Sequence, residues 1–478
     1  MAVLRVTIRT MRIAIAEGVG WSLYANLIQG AFLTGYALLL DANPLVLGYL
    51  GTLPFVGNFI GIFVAPWIER HRDYKRITVI AETGARLCWL IPLANLFISS
   101  TQVKLAVLLG AATLSYLLHA PAALAWWSWM AKVIPPHVRG SFFMTRNTVM
   151  GVAGLFAATI ASRFADHFLG PMKEAVAKAQ GLPLSEVSER LLEVGKAEWV
   201  FVTIFVVAVL FSALSLWLLV VQPAPRPRSL RGEEPPSMAA PIADRHFARF
   251  LLFTLVFSLA NGLVSPFYIP FMLEDLGTSY FQVIIWQWLA VGTMIITTPI
   301  FIRRLDLWGN HRTLVRGVAG VVVLPIIFAL ARPDNYLPLW IDAVFSGIAW
   351  PLVNLAVSNL VIGEAPEGKR AAYVAWNSAL GGAAFFVGGI VGGGIVSLTG
   401  KLLSGLPDGE LGFIFSGYQS VMLLATLGRL FSLILILPYR ERFPARRPEP
   451  AYSARLMARV FGLQRLFSIF SRLRTTEE

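Results

Sequence analysis

Apolar runs of about 20 residues or more recur along this chain, each broken by a short basic or polar stretch. A helical run of that length spans the hydrocarbon core of a bilayer, and no strand-like alternation accompanies it. Lipid offers the backbone no hydrogen-bonding partner, so such runs must cross as helices. Composition agrees: of 478 residues, 56% are hydrophobic and only 14% charged, with mean hydropathy +0.66. A soluble domain of this size carries more charge. The expected fold class is all-α, a polytopic membrane protein.

A basic loop between two runs occurs twice. Residues 135–151 read PPHVRGSFFMTRNTVMG and residues 366–382 read PEGKRAAYVAWNSALGG. Arg139 answers to Arg370, Asn147 to Asn377 and Gly151 to Gly381, an offset of about 230 residues. A repeat of this length in an apolar chain predicts two related bundles. Spans are expected at roughly 18–40, 45–68, 77–98, 103–133, 142–164 and 198–221, then at 247–273, 280–303, 312–331, 337–362, 371–398 and 414–438. Residues 1–13 form a basic amphipathic segment, 14–221 and 247–438 the two six-helix bundles, and 222–246 a Pro/Arg/Glu-rich linker. Residues 166–197 are polar with helical spacing and are expected as an excursion outside the membrane. In the tail, 439–478, Leu456, Val460, Leu463, Phe467 and Phe470 recur at helical intervals away from Arg455, Arg459, Arg465 and Arg472, which suits an anionic inner leaflet.

The net charge of +13 would suit nucleic acid, but the basic residues sit in short loops between spans, where positive-inside bias accounts for them. Nucleic acid is therefore not an expected partner. With twelve spans the basic loops share one side, so both termini are expected in the cytoplasm and the chain in the cytoplasmic membrane. Cys88 is the only cysteine, which excludes an intramolecular disulfide. The first apolar stretch has span length and no A-x-A site, so no cleavable signal is expected.

Six spans, a linker and six more, with basic loops at matching points, resemble the major facilitator superfamily over roughly residues 14–440. Its loop after the second span of each half reads G-x-x-x-D-R-x-G-R-K. The second half here has Asp306-Leu307-Trp308-Gly309-Asn310-His311-Arg312, keeping acid, glycine and base. The first half has Glu69-Arg70-His71-Arg72-Asp73-Tyr74-Lys75-Arg76, with glutamate for the acid, no glycine and a longer run. The resemblance implies a secondary transporter with a cytoplasmic gate at Glu69, Arg70, Arg139, Arg146, Asp306, Gly309, Arg312 and Arg370. An acid at the inner end of a span can pair with cations and helix N-termini of its neighbours; the same charges also serve as topology determinants, and the arginines as interfacial anchors.

The resemblance further implies that spans one, four, seven and ten line the central path, and all four carry polar faces. In the seventh, Thr254, Ser258, Asn261, Ser265 and Tyr268 fall on one helical face, which cannot point at lipid; interhelical hydrogen bonding is the competing use. The first span offers Ser22, Asn26, Gln29 and Tyr36; the tenth Ser346, Trp350 and Asn354; the fourth Ser115, His119 and Trp126 around Pro121. The expected cavity candidates are Asn26, Gln29, Tyr36, His119, Trp126, Ser258, Asn261, Ser265, Tyr268, Trp350 and Asn354.

Charges inside spans are few and costly. Glu82 and Arg86 stand four apart and can neutralise each other; Arg429 has no local partner. Glu17, Asp342 and Glu82 are the acids a proton-coupled carrier could use. The eleventh span holds seven glycines between 381 and 394, which favours close helix approach rather than a phosphate loop. No nucleophile–base set, metal spacing or nucleotide motif appears, so an enzyme, a metal site and a cofactor are not expected. The leading reading is a monomeric secondary transporter of a small organic solute, with protons as candidate coupling ion. A membrane scaffold, receptor or lipid-handling protein is the alternative.

Overall fold

The computed structural model describes residues 2–180, 197–223, 240–366, 369–403 and 416–442; within these, the side chains of 2–8, 136–138, 140–141, 173–180, 302–307 and 371 are not described. Most of the expected linker, the far part of the 166–197 excursion and the amphipathic tail from 443 on lie outside the described residues, as does the side chain of Asp306.

The first bundle comprises α1 (Ala2–Ile28), α2 (Gly30–Leu39), α3 (Pro44–His71), α4 (Tyr74–Leu87) with a 3-10 continuation (Cys88–Phe97), α5 (Thr101–Val133), α6 (Pro136–Gln180) and α7 (Ala197–Val221). A short α8 (Ala240–Ala243) leads into the second: α9 (Arg245–Val264), α10 (Tyr268–Leu273), α11 (Tyr280–Trp308), α12 (Asn310–Ala329), α13 (Leu337–Glu364), α14 (Arg370–Leu403) and α15 (Gly417–Ile436). Among the described residues, 11 helices are long and apolar enough to cross a membrane. The broken α1–α2 pair supplies the first of twelve transits. Local chemistry starts several of them. Asn43 caps α3 by accepting from Val46 N at 3.0 Å, with Pro44 in the first turn. Ser416 and Gln419 form a capping box at α15.

The helix pairings repeat between halves, as a duplicated chain should show. In the first bundle α1 packs on α6 and α7, α3 on α5 and α4 on α5; in the second α9 packs on α14 and α15, α11 on α13 and α12 on α13. The bundles meet chiefly where α3 crosses α14 and α6 crosses α11, with α2 also touching α10. At the first, a Cβ on Gly48 would lie 2.1 Å from the carbonyl oxygen of Gly389, so the two backbones touch. Small residues allow that approach, which is where helix association in lipid draws its packing energy.

Four elements depart from the expected spans. The seventh, expected as one helix over 247–273, divides into α9, a 3-10 turn at Ser265–Phe267 and α10. The first is not one helix over 18–40: it breaks at Gln29, and Gly30 takes φ +56°, a conformation open to glycine at no steric cost. The third, expected as one helix over 77–98, becomes 3-10 from Cys88, around Pro92, which has no N–H to donate. Residues 166–180, expected in the excursion, continue α6 without interruption.

Candidate functional site

Where the bundles face each other lies a cavity of about 760 Å³. Gln29 reaches it from the helix break, Ser258, Asn261 and Ser265 from the seventh span, and Trp350 and Asn354 from the tenth. Three of the five residues of the seventh span's polar ridge thus border the cavity. Thr254, at its end, donates to Asn377 Oδ1 at 2.8 Å and is spent on helix pairing. Tyr116, Phe55, Phe257 and Phe385 supply aromatic walls, and no charged side chain lines the cavity among the described residues.

Other candidates lie elsewhere. Tyr36 is not on the path: it is fully buried, accepts from Asn95 Nδ2 at 2.9 Å and stacks on Phe201. Tyr268 packs edge-on against Phe328 and beside Trp286. Asn26 opens on a smaller neighbouring cavity. Asp342 is buried in the second bundle and accepts from Trp286 Nε1 at 3.2 Å. Arg429, which needed a distant partner, donates to the Val321 carbonyl at 2.9 Å.

His119, Trp126, Glu17, Glu82 and Arg146 come together around a separate pocket of about 250 Å³ inside the first bundle. Arg146, expected at the gate, is buried here instead. It pairs with Glu17 at 3.0 Å, donates to the Ala14 carbonyl at 3.0 Å and lies over the Trp126 ring at 4.3 Å. Ser215 donates to the other Glu17 oxygen at 3.1 Å. Glu82 pairs with Arg86 at 3.0 Å, the expected i,i+4 contact, and also with His119 Nδ1 at 2.7 Å. Arg86 donates onward to the Ser212 carbonyl at 2.8 Å. Buried charges persist in this way only when paired and hydrogen-bonded.

At the end carrying the basic loops, Glu69 accepts from the Tyr74 hydroxyl at 2.7 Å and sits 3.7 Å from Lys132. Arg139 donates to the carbonyls of Ala131 and Ile134. Arg70, Arg312 and Arg370 are exposed, and Gly309 lies between α11 and α12. A set that sequence reasoning missed ties the second bundle here. Asp244 caps α9 by accepting from His246 N at 3.0 Å and holds Arg442 through two bonds of 2.8 and 2.9 Å. Burial pushes the Asp244 carboxyl up, but the bonds from Arg442, Phe247 N, His246 N and Tyr373 outweigh it and hold it below the usual carboxylate range. Glu364 accepts from Arg442 N at 3.0 Å, and Glu441 accepts from Asn310 Nδ2 at 3.2 Å. The helix start after Asp244 was a readable capping signal; the partners from beyond the last span were not.

The opposite end carries a second missed set. Both carboxylate oxygens of Asp166, on α6, accept from the first N–H groups of α11, Tyr280 and Phe281, each at 2.9 Å. One bundle thereby caps a helix of the other, favoured by the positive end of the helix dipole. Trp288 Nε1 donates to Thr159 at 2.8 Å, and Arg163 lies over the Phe281 ring at 3.4 Å. Asp166 stands about 30 residues up α6 from the basic loop, so these contacts close the seam at the far end.

The family model described as Major Facilitator Superfamily matches residues 13–389 and 250–474. The chain belongs to the major facilitator superfamily. Solved structures of superfamily transporters share its fold. A mutant of the nucleoside transporter NupG superposes with TM-score 0.66 at 12% identity, covering 90% of this chain and 99% of that one. A D-xylose-proton symporter gives 0.65 at 14%, covering 91% and 98%. The inward-open xylose transporter XylE of E. coli gives 0.57 at 14%, covering 92% and 97%. Comparison with curated protein sequences finds no match. As a superfamily member the chain is an integral membrane protein with a transporter fold, and the sites above are placed within that fold.

Proposed function

We propose that this superfamily member is a secondary transporter, rather than an enzyme or scaffold, moving a small neutral or amphipathic organic solute across the cytoplasmic membrane with both termini inside. The observation that carries this is the 760 Å³ cavity walled by both bundles and lined by amides, hydroxyls and aromatic rings without a charge. That volume suits a drug-sized ligand. A scaffold would leave unpaired amides inside the membrane with nothing to bind, at a cost. Rocking the bundles exposes the site to one side and then the other. The arrangement described is closed at the Asp166 end, so its cavity belongs to the cytoplasm-facing state.

Protons are the proposed coupling ion, because Glu17 and Glu82 are buried acids paired with Arg146, Arg86 and His119, cations that can trade places with a proton, and Asp342 is a buried acid held by the Trp286 indole. In proteoliposomes, flux of a solute from a broad uncharged panel should respond to an imposed pH gradient. Asp342→Asn or Glu82→Gln should abolish accumulation against the gradient while sparing exchange. Flux indifferent to the gradient removes all three acids from coupling. No flux for any solute, with the protein folded, overturns the transport reading.

A further inference from the structure

A smaller cavity of about 240 Å³ adjoins the central one, and the two share Gln29 and Gly30. Its walls come from both bundles: Trp21, Asn26 and Gln29 on one side, Ile284 and Gln287 of α11 on the other. Three of these side chains are amides. Asn26 donates to the Ser22 carbonyl at 2.9 Å and hydroxyl at 3.3 Å, which leaves its Oδ1 available. Gln29 and Gln287 make no side-chain hydrogen bond among the described residues. Both are half-buried at the cavity wall, so their amide groups can be reached by a partner that enters the space. Facing one space across the seam, the two are placed for such a partner.

The larger lobe repeats the signal. Asn261 is buried, lines the central cavity and keeps an Oδ1 with no partner. Around it stand Phe257, Trp350 and Phe385, a surface for an apolar or aromatic body. Neither lobe is lined by a charged side chain among the described residues. Glu17 and Arg146 line a separate pocket that shares only Trp21 with the smaller lobe and are spent on each other, and Arg429, 6.0 Å from the Trp350 ring, is held by the Val321 carbonyl.

We infer that the two lobes form one site for an uncharged glycoside-like solute, with an aromatic or compact apolar body in the central cavity and a polyhydroxyl head between Gln29 and Gln287. The chemistry selects the head. Each amide carries a donor and an acceptor, and so does each hydroxyl, so a ring of hydroxyls satisfies the amides in both senses. A carboxylate, phosphate or ammonium head would lose its hydration and meet no counter-charge. The inference rests on the transport reading and narrows it to a solute class.

The test uses full-length protein in lipid nanodiscs, with phenyl β-D-glucoside, phenyl β-D-glucuronide and benzyl alcohol as probes and binding measured by calorimetry. The glucoside should bind, and the glucuronide at least about tenfold more weakly. Gln29→Met and Gln287→Met should each weaken the glucoside about tenfold and leave benzyl alcohol unchanged. Trp350→Ala should weaken both. Gln287→Asn, which retains the amide, should fall between wild type and Met, a gradation that a folding defect would not produce. No glucoside binding at millimolar concentration, equal binding of the glucuronide, or Met variants that bind like wild type would overturn the assignment. A different solute carried by vesicles with Gln287→Met indifferent would overturn it too, while leaving transport intact; absence of all flux would instead strike the transport reading.

Discussion

Arg146→Met should destabilise the protein by about 3–5 kcal/mol, the largest single-site loss expected in the first bundle. The substitution leaves the Glu17 carboxylate, 4% exposed, without its partner at 3.0 Å, and strips the Ala14 carbonyl of its donor. Most of the cost comes from that stranded charge, not from the lost attraction. The double variant Glu17→Gln with Arg146→Met should therefore regain most of the stability. Thermal unfolding in detergent, followed by tryptophan fluorescence, reads both. A double variant no better than the single would mean that Arg146 acts through its packing on Trp126, at 4.3 Å, and not through charge.

Gly389→Val should open the seam. A Cβ at Gly389 would lie 2.3 Å from Thr52 Cγ2 and 2.8 Å from the Gly48 carbonyl oxygen, so valine cannot fit without driving α14 off α3. Overpacking of this kind costs about 1–3 kcal/mol, and here the cost falls on the closed state. A shift of that size changes the closed-to-open ratio by about tenfold. With Cys88→Ser as background and Ser265→Cys as reporter, an impermeant maleimide added from the Asp166 side should label the valine variant about tenfold faster. Gly394→Val is the control, since nothing lies within 4 Å of a Cβ there. Equal labelling of the two variants would show that the α3–α14 crossing does not govern closure.

How much of this could be read from residues alone depends on the range of the interaction. Span positions and the twofold plan follow from apolar runs and a repeated loop, which are local or periodic signals. The inward face of α9 follows from polar residues at helical spacing, and the Glu82–Arg86 contact from a four-residue interval. Partners far apart in sequence carry no such signal. Arg146 finds Glu17 across 129 positions, and Asp166 caps α11 across 114. Tyr36 shares a helical face with Gln29 by arithmetic, but the break at Gly30 starts a new helix and turns that tyrosine into the core. Six residues of the central cavity were legible on polar faces of the first, seventh and tenth spans; its smaller lobe was not, because Gln287 comes from the eighth span, outside the four that the family resemblance places on the path.

The most direct measurement is the pair of distances across the two ends of the seam. Spin labels at His167 and Ser279 report the Asp166 end, and labels at Arg70 and Arg312 the basic end, in a Cys88→Ser background in lipid nanodiscs. Two rocking bundles predict two populations at each end, with the short distance at one end accompanying the long distance at the other, and their ratio moving with solute or pH. A single distance at both ends, unchanged under every condition, would contradict the account.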